Sequence, residues 1–211
     1  LRDDEYPRMA RIFNIHRNYK DILINGMVLP EDQYGENAVS RGDENTRLIT
    51  LSNISWDPVS YNISINESIG LERKGKITLV QYHPFEMIIG RYNYGEVIPV
   101  QVPPFRSALF MVTNKELEEP FIEGCAYELV QNMPGKDVRI KLMGMPGTES
   151  VISLNTSNVN FISAYIEEED HSDLIAGKSV KINFPGKKLN EPRHRKLGDL
   201  SEVGLPDDAE S

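Results

Sequence analysis

Cysteine is almost missing from this sequence: Cys125 is the single one in 211 residues. One thiol excludes an intrachain disulfide, a CxxC redox pair and a thiolate metal cluster. A nucleophilic role would need a histidine within hydrogen-bond reach, and no motif around Cys125 supplies one. Between Gly124 and Ala126 it reads as a small buried apolar residue. Histidine is scarce as well. His16, His83, His171 and His194 lie far apart, with no HxH or HExxH spacing, so no zinc site is legible and no cofactor is expected. No apolar run approaches the ~20 residues that a membrane-spanning helix needs. Positive charge is in deficit, with 23 Lys and Arg against 32 Asp and Glu and a net charge of -9. That balance argues against nucleic acid, whose phosphates call for a basic face, and against anionic membrane surfaces.

What remains is a globular composition, with 39% hydrophobic and 26% charged residues. The length suits one large β-domain or two of ordinary size. The chain starts at Leu1 without an initiator Met or a signal segment, and it is expected to be a piece of a longer protein. The most informative stretch is Glu96 to Thr113, EVIPVQVPPFRSALFMVT. Val97, Ile98, Val100 and Val102 alternate with polar neighbours, which predicts a half-buried strand. Ala108 to Val112 run apolar without a break, which predicts a strand covered on both faces. Pro103 and Pro104 cannot donate to a ladder, so they mark a corner.

Upstream, the segments 47–53, 59–65 and 76–82 alternate apolar and polar residues at hairpin-like intervals. Their inward candidates are Leu48, Ile49 and Leu51, then Val59, Tyr61, Ile63 and Ile65, then Ile77, Leu79 and Gln81. Asn25-Gly26 fits a tight hairpin turn, the segment 29–42 reads as a surface loop, and 1–8 as a linker or frayed end. Sustained helical periodicity is not apparent in this half. The prediction is all-β, with an antiparallel β-sandwich over residues 1–114.

Lys115 to Pro120 (KELEEP) is the predicted domain boundary. Beyond it, the ten residues from Met133 match the ten from Met145, and each copy opens with Met-Pro-Gly. Pro followed by Gly favours a type II turn, because Pro fixes φ near -65° and Gly accepts positive φ. A third Pro-Gly, Pro185-Gly186, follows the predicted strand 180–184, and 161–166 reads as another strand. Residues 115–190 are predicted to form a second, smaller β-sandwich-like domain. Residues 191–211 are expected to be a charged tail or linker.

Two motifs carry a family resemblance. A strand ending in Pro103-Pro104-Phe105-Arg106-Ser107 before a short apolar strand resembles the closing hairpin of an accessory β-sandwich. Such sandwiches stand behind the (β/α)8 barrel of α-galactosidase-like glycoside hydrolases. The run from Arg41 to Arg47 (RGDENTR), then LITLSN and Trp56-Asp57-Pro58, resembles the same module. The resemblance covers residues 12–113, about half the chain. It implies a bacterial, periplasmic or extracellular setting and a catalytic pair in a barrel that this chain does not contain. It further implies that the chain is not itself an enzyme but a supporting unit whose outer face packs on that barrel.

The alternative reading is an independent carbohydrate-binding module. Sugar rings stack on exposed aromatics, within a rim of polar side chains that meet their hydroxyls. Trp56 beside Asp57, and Tyr92 with Tyr94 near Arg91, are the residues of the right type. The plain structural reading places Trp56 at a sheet edge and the tyrosines in a turn beside Gly95. The acidic run Glu167 to Asp170 offers weak calcium candidates in Glu168 and Asp170, but the spacing of a calcium loop is missing and a solvated loop fits better. A third possibility is an adhesion or scaffold domain. Arg41-Gly42-Asp43 matches an adhesive tripeptide, and the resemblance makes it an ordinary turn. Asn53, Asn62, Asn66 and Asn155 head N-x-Ser triplets that matter only in a secreted eukaryotic chain. The partners implied are the missing catalytic domain and glycans, with no nucleic acid and no membrane insertion.

Overall fold

The computed structural model describes residues 6–187 apart from 73 and 158. His194 and the predicted tail 191–211 lie outside the described residues, as do residues 1–5 of the predicted linker. The described chain is all-β in class, with antiparallel sheets.

It opens, however, with a helix. Helix α1 (Tyr6–Leu23) takes in residues 6–8 of the expected linker or frayed end. Pro7 sits in its first turn, where a missing N–H costs nothing. Arg11 and Ile15 are buried and Tyr19 and Ile22 half-buried, a stripe with helical spacing. The stripe begins with an arginine, so a count of apolar residues alone passes over it. Asn25-Gly26 is not a hairpin turn either: Asn25 N–H donates to Ile22 O at the helix end (3.2 Å), and Gly26 opens a strand.

The first unit continues through β1 (Gly26–Val28), a short helix α2 (Glu31–Tyr34), β2 (Val39–Gly42), β3 (Thr46–Asn53) and β4 (Val59–Ser64). It ends with β5 (Lys76–His83), β6 (Met87–Asn93), β7 (Val97–Val102) and β8 (Arg106–Thr113). The segment 29–42 is thus not a plain surface loop, since it holds α2 and β2 and buries Leu29, Tyr34 and Ala38. One sheet runs β1-β2-β3-β8-β5-β6 and a second is the pair β4-β7. Between them lies the main core, with Ile49, Leu51, Ile77, Leu79 and Phe110 from the large sheet facing Ile63, Ile65, Val100 and Val102. The prolines carry the chain from one sheet to the other, so β7 and β8 are a corner and not a paired hairpin.

Strand β8 explains its own apolar run. Ala108, Phe110 and Val112 enter the sandwich core, while Leu109 and Met111 face the layer formed with α1 by Ile15, Leu48 and Val80. Leu48 therefore points away from the sandwich interior.

The second unit comprises β9 (Phe121–Glu123), β10 (Ala126–Gln131), β11 (Arg139–Met143), β12 (Thr148–Asn155), β13 (Tyr165–Ile166), β14 (Glu169–Asp170) and β15 (Val180–Phe184). Its sheets are β10-β11, β15-β12-β9 and the small pair β13-β14. Of the predicted strand 161–166, only the last two residues are extended into a ladder. Phe121, Ile122, Cys125, Tyr127, Ile152 and Leu174 form the core. Gly135 and Gly147 have φ of +73° and +72°. Lys136 N–H donates to Met133 O (3.1 Å) and Thr148 N–H to Met145 O (3.2 Å), which closes both repeat turns. The first turn joins the paired β10 and β11, and the second moves the chain to the next sheet.

The segment 115–120 is tied down on both sides. Leu117 packs against the second core and against the layer beneath α1, and Glu86 exchanges backbone hydrogen bonds with Tyr127 (3.2 and 2.8 Å).

Candidate functional site

The loop after β3 is held by one buried amide. Asn53 Nδ2 donates to the carbonyls of Asp57 (2.8 Å) and Val102 (3.0 Å), while its Oδ1 accepts from the Ser55 N–H (2.8 Å). The same side chain therefore anchors the Trp56 loop and the end of β7. Trp56 stands 53% exposed on this loop and Phe105 52% exposed on the proline corner. Their rings meet edge to face, with centroids 4.6 Å apart and planes at 82°. Phe105 has φ +50°, a conformation that costs a bulky residue roughly 1–3 kcal/mol and persists only where the surroundings impose it. Two aromatics are thus presented to solvent on braced backbone, which keeps the ordering cost of a stacked ligand low. Phe105 was not singled out from sequence. Its signal is the pair of prolines ahead of it, which fixes the chain on which it is displayed.

Arg91, Tyr92 and Tyr94 lie at the other end of the sheet. Asn53 pairs with Arg106, whereas Thr113 pairs with Thr78, which pairs with Arg91. The length of β8 separates the two places, roughly 24 Å at a rise of ~3.4 Å per residue. Tyr92 and Tyr94 pack against the sandwich core. The Tyr94 hydroxyl donates to Glu67 Oε2 (2.6 Å), which holds the Glu67 carboxyl below and the Tyr94 hydroxyl above their ordinary ranges. Arg91 faces the second unit and pairs with Glu123. The five predicted carbohydrate residues thus divide, with Trp56 and Asp57 at one end and Arg91, Tyr92 and Tyr94 at the other.

The remaining candidates serve their own turns. Asp43 Oδ1 accepts from the N–H groups of Asn45 (2.9 Å) and Thr46 (2.7 Å), and Oδ2 pairs with Lys115 (3.2 Å). Burial works against the charge, but these three donors outweigh it and hold the carboxyl below its ordinary range. Arg47 adds bonds to Ser40 Oγ, Ser40 O and Gly42 O (3.0, 2.8 and 2.8 Å). The RGD tripeptide is thus part of a braced turn. In the acidic run, Glu168 is exposed and Asp170 Oδ1 accepts from the Ser172 N–H (2.8 Å). Among the described residues, no group of three or more His, Cys, Asp or Glu is placed to hold a metal. Burial pushes the Cys125 thiol up, away from the nucleophilic thiolate.

A charged cluster that the sequence reading missed lies under α1. Arg11 donates to both Glu86 oxygens (2.8 and 2.9 Å) and to Glu119 Oε2 (2.6 Å), with its guanidinium carbon 5.6 Å from the Tyr82 ring centre. Burial disfavours the Arg11 charge, yet the two carboxylates prevail and hold its pKa well above the usual value. Arg11 joins α1, the turn before β6 and the 115–120 segment in one contact set. Beside it opens a cavity of about 250 Å³ between α1, the outer face of the large sheet and β10. No protein-family model and no curated protein matches the chain.

Proposed function

We propose that this chain is a non-catalytic supporting unit of a carbohydrate-active enzyme of the glycoside hydrolase type, and that it packs on a catalytic barrel supplied by the rest of the protein. The observation that carries the reading is the outward flank of α1. Tyr6 and Phe13 are 55% and 57% exposed and lie seven residues apart, on the side of the helix away from the Arg11-Ile15-Tyr19-Ile22 stripe. Large apolar side chains outside a helix's own buried stripe suit an interface. The α-galactosidase-like resemblance supplies the enzyme class. Assay of the purified chain against a panel of aryl glycosides tests the non-catalytic role. No turnover is expected, and hydrolysis of any member overturns it.

A second reading is favoured by the braced, exposed pair Trp56 and Phe105, namely glycan binding at the Asn53 end of the sandwich. Calorimetry against an oligosaccharide panel tests it. Binding that disappears in Trp56→Ala, in a variant that melts normally, supports a carbohydrate-binding module. An absence of heat with every oligosaccharide rejects it.

A further inference from the structure

The loop after β3 and the proline corner before β8 hold their two rings as a corner and not as a floor. Trp56 and Phe105 are both half exposed, and their planes stand at 82° with centroids 4.6 Å apart. In an edge-to-face pair one ring directs its rim at the other's face, so the free faces meet nearly at a right angle. Backbone fixes this arrangement as well as ring contact. Asn53 Nδ2 binds the carbonyl of Asp57, next to Trp56, and that of Val102, at the end of β7 (2.8 and 3.0 Å). The two segments that carry the rings are thereby tied to one amide. Pro103 and Pro104 stiffen the chain between Val102 and Phe105, and Phe105 itself keeps a φ of +50°. Asp57 and Arg106, each next in sequence to one ring, are exposed and are of the type that meets sugar hydroxyls.

We infer that the Trp56-Phe105 corner takes a single sugar ring at the end of a glycan and not an internal stretch of one. A flat run of consecutive sugars needs aromatic faces that share one plane, and two rings at 82° offer no such floor. One pyranose fits the corner instead, with its C–H face stacked on one aromatic and its rim against the face of the other. The standing ring closes one side of the bound sugar, which suits a unit joined to its chain on one side alone. Sugars beyond it would extend into solvent and make no stacking contact. This assignment rests on the glycan-binding reading of the same site and adds the length of ligand that the site accepts.

The probes are the methyl glycosides of glucose, galactose and mannose, each with the homo-trisaccharide of the same sugar and linkage. Each is titrated calorimetrically into the full chain. For the sugar that binds, the methyl glycoside and the trisaccharide are expected to agree within about threefold, because sugars out of contact add no affinity. Trp56→Ala and Phe105→Ala should each weaken both probes at least tenfold, and the melting temperatures of the variants check the fold. A trisaccharide bound beyond that threefold margin would show an extended platform and overturn the inference, while the glycan-binding reading would stand. Binding lost in Trp56→Ala but unchanged in Phe105→Ala would reveal a single stacking face and overturn it in the same way. No heat with any probe would overturn the inference and the glycan-binding reading together.

Discussion

Asn53 braces one end of the sandwich with a single amide, and the two rings displayed there behave differently on truncation. Trp56 is half exposed, so Trp56→Ala should cost about 1 kcal/mol, the worth of an aromatic edge-to-face contact. By contrast, the fully buried Phe110 should cost about 3–5 kcal/mol on truncation to Ala. Phe105 holds a left-handed backbone that glycine adopts without penalty. Phe105→Gly is therefore expected to melt at or above Phe105→Ala, and a clearly lower melting temperature for the glycine variant would remove the strain argument. Asp43 sets a pH dependence. Its folded pKa lies below the ordinary value of 3.8, so its contribution is present above the unfolded pKa and fades as pH falls through the folded one. Thermal melts should show a constant gap between the wild type and Asp43→Asn from pH 8 to 5, closing below about pH 4.

At the scale of elements, legibility followed chemistry. The uninterrupted run of β8 announced two covered faces, and both layers exist because Phe110 and Met111 point to opposite cores. Helix α1 escaped notice because its inward stripe begins with the paired arginine, while Tyr6 and Phe13 lie outside it. A reading that allows one buried charge per stripe, at i, i+4, i+8 and i+11, would have found it. That charge is tested by substitution. Arg11→Met should cost about 3–5 kcal/mol in urea denaturation, because it leaves Glu86 buried without its cation. Adding Glu86→Leu should recover much of that loss, and a double variant as unstable as the single one would show that the pair does more than neutralise itself. The Pro-Gly turns were fully legible, since both glycines have the positive φ that the dipeptide demands. Gly135→Val and Gly147→Val should each lose about 1 kcal/mol or more, and a change within error at both would contradict the turn assignment.

At the scale of the whole molecule, two of the three apolar clusters are joined by shared residues. Ile88 and Leu117 pack against both the second core and the layer beneath α1, and Arg11 reaches across the same seam to Glu119. The seam was not visible in the sequence, because KELEEP reads as a solvated link until its leucine and its last glutamate are placed in space. The candidate site was legible only in part. Trp56 was identified by type, but its partner Phe105 lies 49 positions away by number and meets it only because the proline corner returns the chain to Asn53. Arg91, Tyr92 and Tyr94 matched the same chemistry, and folding separated them by the length of a strand. The α1 flank remains the surface on which the supporting role depends. The most direct measurement is a calorimetric titration of this chain with a separately expressed barrel of the kind that the supporting-unit proposal calls for, for the wild type and for Tyr6→Glu/Phe13→Glu. The account predicts association that weakens at least tenfold in the double variant while the melting temperature of the chain is unchanged. No association, or association indifferent to those two charges, would contradict it.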